Sequence, residues 1–444
     1  MASDMASDGA SDGASDGQAA SSVGTAGGRP RVVLGVSGGI AAYKACELLR
    51  RLTESGHDVA VVPTAAALEF VGAPTWAALS GRPVAADVWH EVHAVPHVRI
   101  GQGADLVLVA PATADLLAKA AHGLADDLLS NTLLTARCPV VLAPAMHTEM
   151  WEHPATRANV ATLRARGCIV IEPASGRLTG ADTGPGRLPD PDEIYEICRR
   201  TLQRGVTAPD LAGRTVLVSA GGTREPLDPV RFLGNRSSGK QGYALARTAV
   251  ARGARVTLIS ANVALDDPAG ADVIRVGTTE ELRIATLAAA AAADVVVMAA
   301  APADFRPSTV ADQKIKKTDD GAVPTIELVA NPDIAAELGV RRRPGQVLVA
   351  FAAETHDAVA NARAKLTRKR ADLIVLNEVG VDRVFGADRN TVTLLASDGT
   401  DVALGELHKD DVSDAIWDHV VPRLAQQVTD TGRAQDPREH AAPR

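Results

Sequence analysis

The sequence is poor in aromatic residues, in net positive charge and in long apolar runs, and each of these would indicate a particular class of protein. Aromatic residues make up 3% of the 444 residues, which is few for a protein that stacks nucleic-acid bases. The formal net charge is -8, and this argues against a polyanionic partner. No run reaches the roughly 18 consecutive apolar residues that a membrane-spanning helix needs. The sequence therefore predicts partners that are neither nucleic acid nor a membrane.

Cysteine is also scarce. The four cysteines, Cys46, Cys138, Cys168 and Cys198, show no C-x-x-C spacing, so neither a disulfide framework nor a zinc site is expected. This usage predicts a reducing, cytoplasmic environment. The 46% hydrophobic and 23% charged residues are typical of a globular protein.

Three segments lack the hydrophobic periodicity of folded elements. Residues 1–29 repeat A-S-D-G without an apolar stretch, which predicts a disordered tail and no signal peptide. Residues 206–210 are predicted to be a linker, and residues 428–444 a flexible polar tail. Because one core rarely exceeds about 250 to 300 residues, the sequence predicts two domains, 30–205 and 211–427.

Both predicted domains open with a βαβ pattern, "RVVLGVSGGIAAYKACELLRRLTESGHDVAVV" and "RTVLVSAGG" followed by "GYALARTAVARGARVTLIS". Runs such as "ADLVLVAPAT" and "GQVLVAFAAET" are typical of parallel strands buried on both faces. The predicted fold class is α/β, with two doubly wound, Rossmann-like, mostly parallel-sheet domains.

The first domain has a glycine turn, "GVSGGIAAYK", between its first strand and helix. Ligands of open α/β sheets bind at such turns, where helix N-termini attract phosphate. Taken alone, the turn is equally consistent with a phosphate site and with a purely structural bend. His97, taken alone, is more consistent with a structural histidine.

A longer series of motifs decides between these alternatives. "GVSGGIAAYK", "PHVRI", "APATADL", "PAMHTEMW" and "SGRLTGADTGPGRL" follow in order from Gly35 to Leu188, and this series resembles the flavin-containing cysteine decarboxylases that act on phosphopantothenoylcysteine. The resemblance implies FMN held without a covalent link, with its ring between subunits of a trimer. The positions that it implies for the FMN phosphate and its surroundings are Ser37, Gly38, Gly39, Thr64 and Thr113.

The same resemblance implies why a flavin is needed. Loss of CO2 from a cysteinyl carboxylate leaves a carbanion, and oxidation of the thiol to a thioaldehyde creates the electron sink for it. His97 matches the histidine of the family and would act as an acid or base near the flavin. Two positions depart from the family pattern: His147 replaces an Asn that holds the substrate carboxylate, and Gly180 replaces a reactive flap Cys. An imidazole can still donate a hydrogen bond to a carboxylate, and the missing proton donor would be water or His147.

The second domain contains an incomplete phosphate-binding motif. Gly234, Gly239 and Lys240 fit G-x-x-x-x-G-K, but Gln241 stands where a hydroxyl should bind magnesium, and the motif lies far from its strand. The stretch 223–239 is instead predicted to be a long functional loop. Basic side chains near several strand ends favour a triphosphate site; the rival interpretation, a nucleic-acid patch, is disfavoured by the acidic net charge.

The series "SAGGTREPLDPVRFLGNRSSGKQG", "AAAPADFRP", "KIKK", "NPDI" and "FAAET" resembles phosphopantothenate–cysteine ligase over nearly all of 211–421. The resemblance implies that CTP activates 4'-phosphopantothenate as an acyl-cytidylate, which the amine of L-cysteine attacks. Asn235 would polarise the acyl-cytidylate, Arg231 would bind near the carboxylate, and Lys314 would stabilise phosphoryl charge. The implied nucleotide contacts are Asp304, Pro332, Asp333, Ile334, Phe351, Lys365 and Lys369, with Asp304 acting through Mg2+.

The two halves together predict a bifunctional enzyme of coenzyme A biosynthesis that ligates L-cysteine to 4'-phosphopantothenate and decarboxylates the product to 4'-phosphopantetheine. A homo-oligomer with trimeric decarboxylase contacts and dimeric ligase contacts is expected. One alternative is an active ligase with a non-catalytic flavoprotein half. Another is a nicotinamide dehydrogenase, although the first glycine turn lacks G-x-G-x-x-G.

Overall fold

The computed structural model describes residues 28–84, 95–177, 183–205, 209–316, 325–354, 356–378 and 388–433. Most of the predicted N-terminal tail and C-terminal tail, residues 206–208 of the predicted linker, and Gly180 lie outside these ranges. The strands of the first half are β1 (Arg31–Val36), β2 (Asp58–Pro63), β3 (Leu106–Ala112), β4 (Val140–Pro144), β5 (Ile169–Val170), β6 (Ala174–Arg177) and β7 (Thr183–Arg187). Its helices are α1 (Ala42–Glu54), α2 (Ala65–Leu68), α3 (Ala73–Ser80), α4 (Pro96–Gly103), α5 (Ala114–His122), α6 (Leu128–Thr135), α7 (Thr148–Glu152), α8 (Pro154–Ala165) and α9 (Pro191–Arg204).

The first half is built on a five-stranded sheet in the order β2-β1-β3-β4-β5. All four strand pairings are parallel. Strand β1 is buried from Val32 to Val36, as expected for a strand covered by helices on both faces. The order reverses between β1 and β3, so the carboxyl ends of these two strands flank the crevice where doubly wound sheets bind ligands.

The second half contains β8 (Thr215–Gly221), β9 (Arg224–Pro226), β10 (Phe232–Gly234), β11 (Arg255–Ala261), β12 (Ala271–Val276), β13 (Val295–Met298), β14 (Phe305–Pro307), β15 (Leu328–Ala330), β16 (Val347–Glu354), β17 (Leu373–Glu378), β18 (Arg389–Ala396) and β19 (Asp401–His408). Its helices are α10 (Lys240–Ala251), α11 (Thr279–Ala290), α12 (Ile334–Arg341), α13 (Ala358–Lys369) and α14 (Lys409–Arg433).

An eight-stranded sheet in the order β12-β11-β8-β13-β16-β17-β18-β19 forms the second half. The pairings are parallel up to β17, and β18 and β19 extend the sheet in antiparallel fashion. The order reverses between β8 and β13, which places a second ligand crevice at their carboxyl ends. The α/β fold class with two doubly wound, mostly parallel sheets is therefore confirmed.

The long loop predicted between β8 and α10 is only partly irregular. Strands β9 and β10 within it pair antiparallel, and β14 and β15 form a second small antiparallel pair. Several apolar side chains of these two pairs are exposed, including Phe232 at 52% and Phe305 at 53%. The two pairs thus form an apolar surface outside the main sheet.

A row of ion pairs joins the two halves. Arg199 and Arg200 of α9 pair with Asp411 and Asp414 of α14, at 2.9 Å and 2.6 Å between nitrogen and oxygen. The Asp414 side chain is only 2% exposed, so this charge depends on its arginine partners for stabilisation. No helix of the described residues combines the length and apolar character that crossing a bilayer requires.

Candidate active sites

The crevice of the first half is a cavity of about 730 Å³ at the carboxyl ends of β1, β3 and β4. It is lined largely by glycine, alanine and apolar side chains, with a few polar groups at its edge. The lining residues are Gly38, Gly39, Ile40, Ala41, Tyr43, Lys44, Pro111, Thr113, Ala114, Ala145, Met146, His147, Met150, Gly186, Arg187 and Leu188. A mostly apolar cavity with convergent polar groups is the usual form of a cofactor site.

The predicted glycine turn forms one wall of this cavity. A Cβ atom at Gly38 would lie 2.4 Å from the Cβ of Ala66 and 2.9 Å from its carbonyl carbon, so only glycine fits between β1 and α2. A Cβ atom at Gly39 would meet only Thr113 Cγ2, at 3.8 Å. The backbone of Gly39 therefore faces open space, as a close approach by a ligand requires.

The three predicted hydroxyls have structural partners. Ser37 Oγ is buried, donates to Pro111 O at 2.7 Å and accepts from Thr113 N at 2.9 Å. Thr64 and Thr113 cap α2 and α5 by accepting from Ala67 N and Leu116 N. Thr113 lines the cavity, whereas Ser37 and Thr64 are not among its described lining residues.

The two predicted histidines lie in different surroundings. His147 lines the cavity and occupies the N-cap position of α7 without a side-chain capping bond. His97 lies in α4, which packs against α6, and Thr135 Oγ1 donates to its carbonyl oxygen at 2.8 Å. Its Nδ1 is buried without a hydrogen-bond partner among the described residues, and it does not line the cavity described here.

The second crevice is a cavity of about 380 Å³ at the carboxyl ends of β13 and β16. Eight predicted site residues line it: Asn235, Asp304, Pro332, Asp333, Ile334, Phe351, Lys365 and Lys369. The loop Arg236–Ser238 and the first turn of α10 complete one wall. These eight residues come from five separate parts of the sequence.

Asn235 is held close to the ends of β8 and β13. Its Nδ2 donates to Pro302 O at 2.8 Å. A Cβ atom at Gly222 would lie 2.7 Å from Asn235 O, so the glycine allows the loop to approach the end of β8. The side chain is exposed and lines the cavity.

The opposite wall is formed by α12 and α13. Asp333 caps α12 by accepting from Ala336 N, and it pairs with Lys369 Nζ at 2.6 Å. Burial opposes ionisation of Asp333, but the hydrogen bonds from Lys369 and Ala336 outweigh it and hold the pKa of this carboxyl below its usual value. Lys365 pairs with Glu354 in the same wall. Lys365 and Lys369 lie four residues apart on α13, and both line the cavity.

Arg231 and Lys314 lie together but are not among the described residues that line the cavity. Arg231 Nε donates to Asp228 Oδ2 at 2.9 Å, and its Nη2 donates to the carbonyl oxygen of Ile315 at 2.7 Å. Hydrogen bonds from Arg231 hold the pKa of Asp228 far below its usual value. The guanidinium therefore connects its own loop to the segment that contains Lys314.

Several lining residues were not predicted as site residues from the sequence. In the first cavity these include Tyr43, Lys44 and Arg187, and the quoted motifs contain all three. In the second cavity they include Gln241, Asn331, Arg368, Asn377, Asn390 and Lys409. Asn377 and Asn390 come from β17 and β18, and Asn390 Nδ2 donates to Asn377 Oδ1 at 2.9 Å. No motif in the sequence marks this pair.

Comparison with known proteins covers both halves. The flavoprotein family matches residues 20–203, and the C-terminal domain family of DNA/pantothenate metabolism flavoproteins matches residues 211–424. The coenzyme A biosynthesis bifunctional protein CoaBC of Mycobacterium tuberculosis H37Rv is 59% identical over 406 residues, covering 89% of this chain and 97% of that protein. The chain belongs to the CoaBC family.

Two further CoaBC proteins match over a comparable share of both chains. That of Mycolicibacterium smegmatis is 57% identical over 90% of this chain and 99% of its own length. That of Bacillus subtilis is 46% identical over 86% and 94%. Membership of the CoaBC family confirms the predicted bifunctional enzyme, with a flavoprotein decarboxylase half and a phosphopantothenate–cysteine ligase half.

Proposed function

We propose that the second cavity uses CTP to activate 4'-phosphopantothenate and couples it to L-cysteine, and that the first cavity holds FMN and decarboxylates the product. The observation that best supports this is the location of both cavities at the reversal of strand order, with the predicted glycine turns and eight of the predicted ligase residues in their walls. The proposal also keeps the domain bounds 30–205 and 211–427.

In the ligase half, a free carboxylate is a poor electrophile, so activation must precede the attack by cysteine. We propose that Asn235 polarises the acyl-cytidylate. Its side-chain amide lies near the ends of β8 and β13, where a hydrogen bond from Nδ2 to Pro302 O holds it in place. Lys365, Lys369 and the first turn of α10 supply positive potential for phosphates. Asp304 offers an exposed carboxylate for a Mg2+ ion that arrives with the nucleotide, in keeping with the few protein ligands that Mg2+ takes in such sites.

We propose that the apolar surface of the pairs β9–β10 and β14–β15 joins two copies of the chain in a dimer. Val230, Phe232 and Leu328 on this surface are 62%, 52% and 48% exposed, and contiguous exposed apolar surface is typical of an interface. Arg231 and Lys314 flank this surface and lie outside the cavity of their own chain. In the dimer, they would act on the cavity of the partner.

In the decarboxylase half, the cavity fits a flavin. Glycine backbone at Gly39 leaves room for a phosphate, and the apolar side chains of Ile40, Met146 and Met150 suit a ring system. FMN, when bound, supplies the oxidation and return of electrons that a cysteinyl decarboxylation needs. His147 would hold the substrate carboxylate, and His97, whose buried Nδ1 has no described partner, would reach a neighbouring subunit's site in a trimer. Free thiols at the four cysteines agree with a cytoplasmic location.

The test is a two-product assay on the full chain. With 4'-phosphopantothenate, L-cysteine and CTP, we expect pyrophosphate and then CO2 in equal amounts, together with 4'-phosphopantetheine. ATP in place of CTP should support a much lower rate, and removal of Mg2+ should abolish pyrophosphate release. Pyrophosphate without CO2 would favour a non-catalytic flavoprotein half, and absence of both products would contradict the proposal.

Valine at Gly39 should displace the flavin without unfolding the domain. Since a Cβ atom there has one neighbour at 3.8 Å within the protein, the added methyl groups would mainly occupy the space of the ligand and lower flavin affinity about tenfold or more. Flavin absorbance per mole of purified protein measures the effect, and mass spectrometry of the released flavin distinguishes FMN from FAD.

Gly103→Val is the matched control for this variant. A Cβ atom at Gly103 also has a single neighbour at 3.8 Å, the Arg31 guanidinium, but it lies away from the cavity. The Gly103→Val variant should therefore retain its flavin. Equal flavin loss in both variants, or none in Gly39→Val, would refute the assignment of this turn to the flavin.

A further inference from the structure

A buried chain of hydrogen bonds runs from Glu225 to the edge of the ligase cavity. The Thr279 hydroxyl donates to Glu225 Oε1 at 2.7 Å, and Thr279 N donates to the same oxygen at 2.9 Å. The hydroxyls of Thr279 and Thr223 are 2.8 Å apart. Ala303 N donates to Thr223 Oγ1 at 2.9 Å. Both threonines are fully buried and Glu225 is 3% exposed.

The direction of this hydrogen-bond chain follows from its carboxylate end. The Thr279 hydroxyl donates to Glu225 Oε1, so its single proton is committed to Glu225. The Thr223 hydroxyl must then donate to Thr279, and its lone pair accepts from Ala303 N–H. Each hydroxyl therefore has one orientation, and hydrogen bonds in such a chain strengthen one another.

This series of hydrogen bonds ends on the peptide group that also binds Asn235. Ala303 N–H and Pro302 C=O belong to one peptide group, which is planar. Its N–H end is held by Thr223, and its carbonyl end accepts from Asn235 Nδ2 at 2.8 Å. A rotation of this peptide group would move the acceptor of Asn235, so an anchor on one side fixes the geometry on the other.

We propose that Thr223, Thr279 and Glu225 are positioning residues for the ligase reaction, which orient the amide of Asn235 through the Pro302–Ala303 peptide group. None of the three lines the cavity among its described residues, so they act through Asn235 and not on the substrate. This inference rests on the role proposed above for Asn235. It assigns a function to a buried carboxylate that the described residues leave without an ion-pair partner.

Thr223→Val and Thr223→Ser together test the inference. Valine keeps the shape of threonine and removes the hydroxyl, so Ala303 N–H loses its acceptor. We expect kcat for amide formation to fall about 10- to 100-fold, because small displacements of a positioning group have effects of this size. KM for CTP should change less than about threefold, since the variant disturbs the orientation of Asn235 during the reaction and leaves the CTP contacts intact. Thr223→Ser restores the hydroxyl and should return kcat to within about threefold of the parent chain.

Thr286→Val is the matched control. Thr286 is fully buried in α11, and its hydroxyl has no hydrogen-bond partner among the described residues. This variant should ligate at the parent rate. In every variant, the decarboxylase half should decarboxylate at the parent rate. If Thr223→Val does not accumulate as folded protein, Thr279→Val interrupts the same chain one hydroxyl further from the cavity and should give the same kcat loss at unchanged KM.

Three outcomes would overturn the inference: normal kcat in Thr223→Val, no rescue by serine, or an equal loss in Thr286→Val. The role of Asn235 is checked separately. If Asn235→Asp ligates normally, the proposed function of that residue fails. If Asn235→Asp is impaired and Thr223→Val is not, only the positioning inference fails.

Discussion

Asn235→Asp is expected to release pyrophosphate in the first turnover and then to form amide about 100- to 1,000-fold more slowly than the parent chain, the range seen when one donor to a developing negative charge is removed. Asn235 Nδ2 donates to Pro302 O at 2.8 Å. An aspartate would place one carboxylate oxygen against that carbonyl oxygen, and both atoms only accept hydrogen bonds. The side chain would turn away, and the acyl-cytidylate would lose the amide that polarises it. Rapid quenching, with separate quantification of pyrophosphate, acyl-cytidylate and amide, measures each step.

The control for this variant is Asn361→Asp. Asn361 lies on α13 in the same domain, where its Nδ2 donates to His356 O at 3.1 Å, and it does not line the cavity. It should ligate at the parent rate. Amide formation at the parent rate in Asn235→Asp would contradict the proposed role, and loss of the pyrophosphate burst would move that role to the activation step.

The sequence predicts the architecture and most of the ligase cavity because both depend on local patterns. Buried apolar strands followed by glycine turns indicate parallel sheets, and in a parallel sheet the strand ends meet at one edge. Residues near those ends, such as Asp304 after β13 and Phe351 in β16, therefore line one cavity. The start of α12 also depends on a local signal, since Asp333 caps this helix.

Other features depend on contacts that a sequence does not display. Arg231 is oriented by Asp228, a buried carboxylate three residues earlier, and by the carbonyl oxygen of Ile315, far along the chain. Asn377 and Asn390 meet only because β18 pairs antiparallel with β17 in one register. In the sequence, Glu225 falls in a stretch predicted to be a loop, where a carboxylate is usually exposed. In the structure it is buried beneath the N-terminus of α11.

Thr64 and Thr113 show how one residue type supports two interpretations. Both follow strands of the first sheet, which agrees with a phosphate-binding role, and both also precede helices as capping residues. The cap explains each hydroxyl without a ligand. Of these two threonines, Thr113 also lines the cavity. Gly38 likewise has a structural explanation, its close packing against Ala66, whereas Gly39 faces open space.

His147→Ala is expected to lower the rate of decarboxylation about 10- to 100-fold, the range for losing a hydrogen bond to a charged group. His147 lines the cavity at the N-cap of α7, beside Met146 and Met150. Two roles are open for its imidazole: a hydrogen-bond donor to the substrate carboxylate, or the proton donor that replaces the missing flap cysteine. Alanine removes both functions, so this variant establishes only that the side chain participates.

His147→Asn separates the two roles. An asparagine amide donates a hydrogen bond but is far too weak an acid to transfer a proton to the product near neutral pH. If His147 holds the carboxylate, His147→Asn should decarboxylate within about fivefold of the parent chain, since the donor is retained. If His147 is the proton donor, His147→Asn should be as slow as His147→Ala. CO2 release from 4'-phosphopantothenoylcysteine, normalised to bound flavin, measures both variants.

The matched control is His153→Asn. His153 is exposed, caps α8 by accepting from Ala155 N, and lies outside the cavity. Asparagine is a favourable helix cap, so this variant should fold and decarboxylate normally. Ligation by the other half of each chain gives an internal check on protein quality. An unchanged rate in His147→Ala would exclude both roles, and water would then be the remaining proton donor.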